Sequence, residues 1–224
     1  MQKGLIYIFT LIFCVIFLPV HSQDKDFGLW TSVELEKDLS KNLELEIGIE
    51  NRLEDNLNQR DETFFDTGLS YRKGIFVAGF GYRITNKNER GGSSGYSHRF
   101  IGQMRLRPEW KRFSFDYRAR FQKQYFNIYS SENGHIPENF IRNRVRAGYN
   151  IRKTDLEPSI SYELFYLLDH REKGFFQKGR FKLELSYEIN KKNSLEISYI
   201  VQETINEADL QKTYVIGIGY KYEI

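Results

Sequence analysis

The ten residues FSFDYRARFQ, Phe113 to Gln122, set aromatic side chains and charges side by side almost without a break. Successive side chains of a β-strand point to opposite faces. Phe113, Phe115, Tyr117, Ala119 and Phe121 therefore share one face, and Ser114, Asp116, Arg118, Arg120 and Gln122 the other. Two settings produce such a strand: a soluble sheet with one wet face, or a barrel whose exterior meets lipid and whose interior is polar. The rest of the chain decides between them.

The same two-residue period runs from Phe27 onward, and no segment carries a helical period. In LELEIGIENRL (Leu43 to Leu53), Leu43, Leu45, Ile47 and Ile49 lie on one side. Glu44, Glu46, Gly48, Glu50 and Arg52 lie on the other. The stretches TFFDTGLSYR, IFVAGFGYRI, HRFIGQMRLR, FIRNRVRAGYNI, LEPSISYELFYL, RFKLELSYEI, SLEISYIVQ and TYVIGIGYKYEI repeat it. Each is roughly ten residues or a little longer, the length of a tilted strand that crosses a bilayer. Soluble strands average about five or six.

Connections alternate in length. Tight ones contain Lys73-Gly74, Pro108-Glu109-Trp110, Lys153-Thr154-Asp155 and Asn190-Lys191-Lys192-Asn193. Between them come EDNLNQRDE, TNKNERGGSSGYS, YSSENGHIPEN, LDHREKGFF and ETINEADLQ. Short turns at one rim and long polar loops at the other mark an outer-membrane barrel, with the short turns periplasmic. In that orientation Tyr71, Tyr149, Tyr187, Tyr220 and Tyr222 fall on the lipid face at periplasmic strand ends, and Tyr125, Tyr166 and Tyr214 near the outer ends. That is a double aromatic girdle.

The bulk numbers agree. A chain of 224 residues suits one all-β domain. A mean hydropathy of −0.56 is too polar for a helical membrane protein. A barrel tolerates it, because only alternate residues face lipid. The formal charge of +3 leaves no basic footprint for nucleic acid. At the start, Lys3 precedes the apolar run Leu5 to Val20, and the small residues Val20 and Ser22 follow the pattern of a secretory signal cleaved after Ser22. The expected organisation is a signal peptide over 1–22, an N-terminal segment or first strand over 23–42, and an outer-membrane barrel over 43–224. Cys14, the only cysteine, lies in the signal behind Phe13, so the processed chain has neither disulfide nor thiol chemistry.

The expected fold is an all-β, antiparallel transmembrane β-barrel of ten strands from Leu43 to Ile224. FGLWTSVELEK (Phe27 to Lys37) would be an extra piece beside it. Twelve strands result if one has been passed over, since single-chain bacterial barrels carry an even number. The chain end, Gly219-Tyr220-Lys221-Tyr222-Glu223-Ile224, looks like the signal read by the barrel assembly machinery. The expected partners are that machinery during insertion and outer-membrane lipid. Three stretches carry a family likeness: FGLWTSVELEKDLSKNLELEIGIENRL, DTGLSYRKGIFVAGFGYRI and RFKLELSYEINKKNSLEISYIVQ. Through them the processed chain resembles domain-of-unknown-function family 2490, outer-membrane β-barrel proteins of Gram-negative bacteria. The resemblance implies location and fold and brings no activity with it.

The densest polar feature is arginine on the inner face. Arg99, Arg105 and Arg107 lie on one strand, Arg118 and Arg120 on the next, and Arg142, Arg144 and Arg146 on the third. With strands about 4.8 Å apart these form one basic wall. The lumenal acids are Glu44, Glu46 and Glu50 early, Asp116 among the arginines, and Glu163, Glu184, Glu188 and Glu196 late. Barrel closure is expected to bring the early and late strips round to face the wall. About eight strands already give an interior filled by side chains, and open channels appear at about 16 to 18. The wall therefore implies a salt-bridged plug first, and a narrow porin-like conduit for a small solute second. His98, His135 and His170 fall in or beside outer loops, and no metal spacing or nucleophile motif occurs. No cofactor is expected. The expected role is non-enzymatic. The alternative is an outer-membrane enzyme acting on lipid or peptide at the extracellular rim, with Asp169-His170 as its seed. Loop residues Phe126, Ile128, Tyr129 and Ile136 offer a surface to a loop-bound partner, and Gly91-Gly92 with Ser93, Ser94 and Gly95 form a loop tip.

Overall fold

Alternation along the chain becomes twelve strands in the computed structural model, which describes residues 25–54, 56–57, 59–88, 94–125, 138–168, 175–205 and 211–224. The signal peptide, Gly91, Gly92 and Ser93 of the expected loop tip, the loop residues Phe126, Ile128, Tyr129 and Ile136, and His135, Asp169 and His170 lie outside the described residues, whereas Ser94 and Gly95 of that loop tip begin a strand instead. The strands are β1 (Lys25–Asp38), β2 (Leu43–Glu54), β3 (Gln59–Lys73), β4 (Phe76–Asn88), β5 (Ser94–Leu106) and β6 (Glu109–Trp110). They continue as β7 (Phe113–Tyr125), β8 (Glu138–Tyr149), β9 (Leu156–Leu167), β10 (Phe175–Asn190), β11 (Asn193–Thr204) and β12 (Lys212–Glu223). The described residues contain no helix.

Each long strand pairs antiparallel with the next, and β5 pairs directly with β7. The two residues of β6 pair only with the start of β7. The ring closes between β12 and β1, which run parallel from Lys25 opposite Lys212 to Glu36 opposite Glu223. The barrel therefore has eleven strands, with β6 as one short extra strand.

This corrects the expected ten strands and the wholly antiparallel sheet; the alternative total of twelve is met, with eleven strands in the ring and one beside it. The segment set aside, Phe27 to Lys37, is the first strand of the ring. Its side chains follow the common pattern, with Val33 and Leu35 exposed outside and Gly28 and Trp30 buried inside. An odd number of up-and-down strands makes the first and last run the same way, and a parallel ladder satisfies their backbone groups nearly as well as an antiparallel one. The seam is tight. A Cβ on Gly28 would stand 2.9 Å from the Leu53 carbonyl oxygen and 3.3 Å from Val215 Cγ2.

The tight turns use local chemistry. Gly74 takes φ +61°, the left-handed conformation of a two-residue hairpin turn. Asn190 Oδ1 accepts from the Lys192 backbone N–H at 2.9 Å and from Asn193 Nδ2 at 2.7 Å. Such turns link the strands at one rim, where β12 also ends. The other connections, of which 126–137, 168–174 and 205–211 are the longest, and the start of β1 lie at the other rim.

The two faces reverse the usual partition of a soluble domain. Phe80, Met104 and Val145 are 60%, 60% and 61% exposed on the exterior, whereas Asp116, Gln122 and Glu163 are 5%, 3% and 4% exposed within. The stretch FSFDYRARFQ shows both halves. Phe113, Phe115, Tyr117 and Phe121 point out, and Asp116, Arg118 and Gln122 are buried inside.

The parallel seam has a direct test. In a Cys14→Ser background, Thr31→Cys with Ile218→Cys places two thiols on registered residues, inside the Cα separation of about 4.4–6.8 Å that a disulfide spans. Oxidation is expected to cross-link this pair. Val33→Cys with Ile216→Cys, four residues out of register, is expected to stay reduced. Equal cross-linking of both pairs, or none of the first, would remove the seam.

The barrel interior as candidate functional site

Inward positions of β5, β7 and β8 bring the expected basic wall together. Arg99 and Arg105 come from β5, Arg107 from the residue after it, Arg118 and Arg120 from β7, and Arg142, Arg144 and Arg146 from β8. Adjacent registers set Arg105 opposite Arg118 and Arg118 opposite Arg144. Such like-charged neighbours repel unless carboxylates intervene.

Two carboxylates do so. Asp116 receives Arg105 at 2.7 Å, Arg144 at 2.9 Å and Arg107 at 3.2 Å. Glu163 of β9 receives Arg118 at 2.6 Å and Arg142 at 2.7 Å, with Arg180 at 3.9 Å. An ionised carboxylate has about four lone-pair sites, so one acid holds several guanidinium forks. Much of the wall is thus neutralised on its own strands and the next one, rather than by acids facing it across the lumen. The late acid Glu184 joins Arg146 at 3.5 Å and pairs with Lys182, and Glu157 takes Arg146 at 3.1 Å. Glu196 is half-buried, and Glu188 is exposed at the short-turn rim.

The early acids make their own contacts. Glu44 meets Arg72 at 3.5 Å, and Glu50 meets Arg52 at 2.6 Å. Glu46 converges with Glu34 and Glu36, ligand atoms of all three lying within 4.8 Å of one another. Lys221 of β12 reaches Glu36 at 2.6 Å and places a cation there. Beside these, Asp66 accepts both arms of Arg83 at 2.6 and 2.7 Å.

One group was not anticipated from the sequence. Trp30, Phe64 and Phe165 are large rings on the polar side of their strands, and all three are buried. Arg52 lies 3.7 Å over Trp30 and 4.4 Å over Phe64, and Arg83 lies 4.3 Å over Phe64. Arg142 lies 4.2 Å over Phe165, while Arg180 spans Phe165 at 5.0 Å and Trp30 at 4.9 Å. Each stack is a cation–π contact. Together they run from β4 through β1 to β8, toward the rim of the longer connections. The signal was a ring at the parity of Glu34, Asp66 and Glu163.

On the exterior, Tyr71, Tyr149, Tyr187, Tyr220 and Tyr222 stand at the short-turn rim, with Tyr125, Tyr166 and Tyr214 toward the other. His98 also points outward. Its Nδ1 is 2.6 Å from the Tyr82 hydroxyl, and the two rings stack at 6.1 Å.

A closed ring of eleven strands, apolar outside and ion-paired inside, defines the chain as a β-barrel protein with a charged interior. The chain belongs to the family described as "Protein of unknown function (DUF2490)", whose family model matches residues 27–213. The match takes in β1 from Phe27, so the strand that closes the ring is part of the family pattern. No curated protein matches the chain.

Proposed function

We propose that the protein is an outer-membrane β-barrel, processed near Ser22, whose lumen is plugged by its own ion pairs and whose role is non-enzymatic. The observation that carries this is the reversal of faces: aromatic and aliphatic side chains exposed outside, with charges buried inside. A shell of exposed Phe, Leu, Ile and Val in water would be an aggregation surface, and in a bilayer it is solvated. The long strands, of 12 to 16 residues, exceed the roughly 9–11 residues of a tilted membrane strand. Tyrosines near both rims match the girdles at the two interfaces.

The plug rests on Asp116 and Glu163, each binding three arginines inside a ring only slightly wider than those that side chains fill. Against the enzyme alternative, His98 contacts a tyrosine on the exterior, and no carboxylate or serine is paired with it among the described residues. Outer-membrane lipid is the proposed surrounding, and the barrel assembly machinery the proposed partner during insertion.

Membrane fractionation tests the location. The processed chain is expected in the outer-membrane fraction and to need detergent for extraction. Recovery as a freely dissolved monomer from a periplasmic extract would reject it. Planar-bilayer reconstitution tests the plug. Current at background is expected, and regular conductance steps would replace the plug by a conduit.

A further inference from the structure

Three interior arginines each donate two N–H groups to one glutamine oxygen, and Arg142 donates Nη1 to Gln122 Oε1 at 3.3 Å. Arg120 donates Nε and Nη2 to Gln103 Oε1 at 3.1 and 2.7 Å. Arg180 does the same to Gln202 Oε1 at 3.2 and 2.7 Å. Arg99 donates both to Gln124 Oε1. A glutamine oxygen orients the fork and leaves the charge in place. Arg180 also approaches Glu163. For Arg99 and Arg120, no carboxylate oxygen among the described residues comes within 4.0 Å. Glu163, the strongest acidic neighbour of Arg120, is already shared by three other arginines.

Unused donors lie beside Arg120 on β7. Arg118 Nε and Gln122 Nε2 are buried without an acceptor, on residues only 8% and 3% exposed. Arg144 Nε, on the β8 residue opposite Arg118, is likewise buried without one. Arg118, Arg120 and Gln122 share the inner face of β7, with Gln103 registered opposite Arg120. The inner face of β7 therefore combines Arg120, which has no carboxylate within 4.0 Å among the described residues, with N–H groups that lack an acceptor. Burying either alone costs free energy. A ligand bearing several acceptor oxygens and negative charge satisfies both at once, and guanidinium forks match oxyanions in particular.

We propose that the patch of Arg118, Arg120 and Gln122 on β7, beside Gln103 of β5, is a binding site for an oxyanion of the phosphate class. The site lies wholly inside the ring, so its occupancy does not depend on the medium around the exterior. Gln103 is then part of the specificity. It holds the Arg120 fork in place without pairing it to a carboxylate.

The full processed chain, folded in detergent micelles, is titrated with inorganic phosphate, acetate and chloride at equal ionic strength, and also refolded in each. Saturable binding of phosphate is expected, with acetate weaker and chloride weakest. Gln103→Glu and Gln122→Glu each keep the side-chain shape and add a carboxylate to the patch. Each is expected to weaken phosphate binding by about tenfold or more, with folding checked by heat-modifiable gel migration. Identical responses to all three salts would reduce the effect to screening and overturn the proposal. Wild-type phosphate affinity in either folded variant would overturn it as well. Should one variant fail to fold, the other gives the same reading.

Discussion

Glu163→Gln is expected to lower the unfolding free energy of the barrel by about 3–5 kcal/mol, the usual cost of removing one partner from a buried ion-pair cluster. Glu163 is nearly fully buried and receives Arg118, Arg142 and Arg180 from three different strands. Glutamine preserves the shape but turns an amide donor toward guanidinium donors. Three cations then share the site without their common anion. Urea unfolding in micelles, followed by tryptophan fluorescence, measures the change. Glu203→Gln is the control, because its pair with Lys212 at 3.7 Å is well exposed. A surface pair of that kind is worth at most about 1 kcal/mol. Equal effects of the two substitutions would show that the interior network does not hold the barrel together.

Deleting 25–38 is expected to abolish the heat-resistant folded form. Without β1, strands β2 and β12 are antiparallel neighbours, so a ten-stranded ring is allowed by strand direction. The side chains argue against it. Arg52 and Arg180 would both lose the Trp30 ring. Lys221 would lose Glu36, and Val215, fully buried at the seam, would lose its packing against Gly28. A deletion variant that folds with the wild-type midpoint would restore the ten-stranded reading. Gel migration with and without heating separates the two results.

Parity was legible throughout. The alternation in FSFDYRARFQ assigns Asp116, Arg118 and Arg120 to the interior, and the same rule on the other strands assigns every arginine of the wall. Parity names a face and never a neighbour. Three arginines gather on Glu163 because the strand register sets Arg180 directly opposite it on β10, with Arg142 of β8 one step away opposite Phe165. That register is set by the turn and its hydrogen bonds, which the alternation does not encode. Trp30 was missed for a different reason. Its segment shows the same period as the others, but a rule about even strand numbers set it aside. Phe64 and Phe165 break the polar pattern of their faces, and the break acquires meaning only once Arg52, Arg83 and Arg142 are placed over the rings.

The parallel closure of β1 on β12 has a consequence for anyone who re-engineers the chain. Lys25 and Glu223 emerge at opposite ends of the cylinder, separated along the seam by a 14-residue strand, or roughly 45 Å at about 3.3 Å per residue. A circular permutant joined through a short peptide is therefore sterically barred. Epitope tags placed before β1 and after β12 would stand at opposite rims of the barrel.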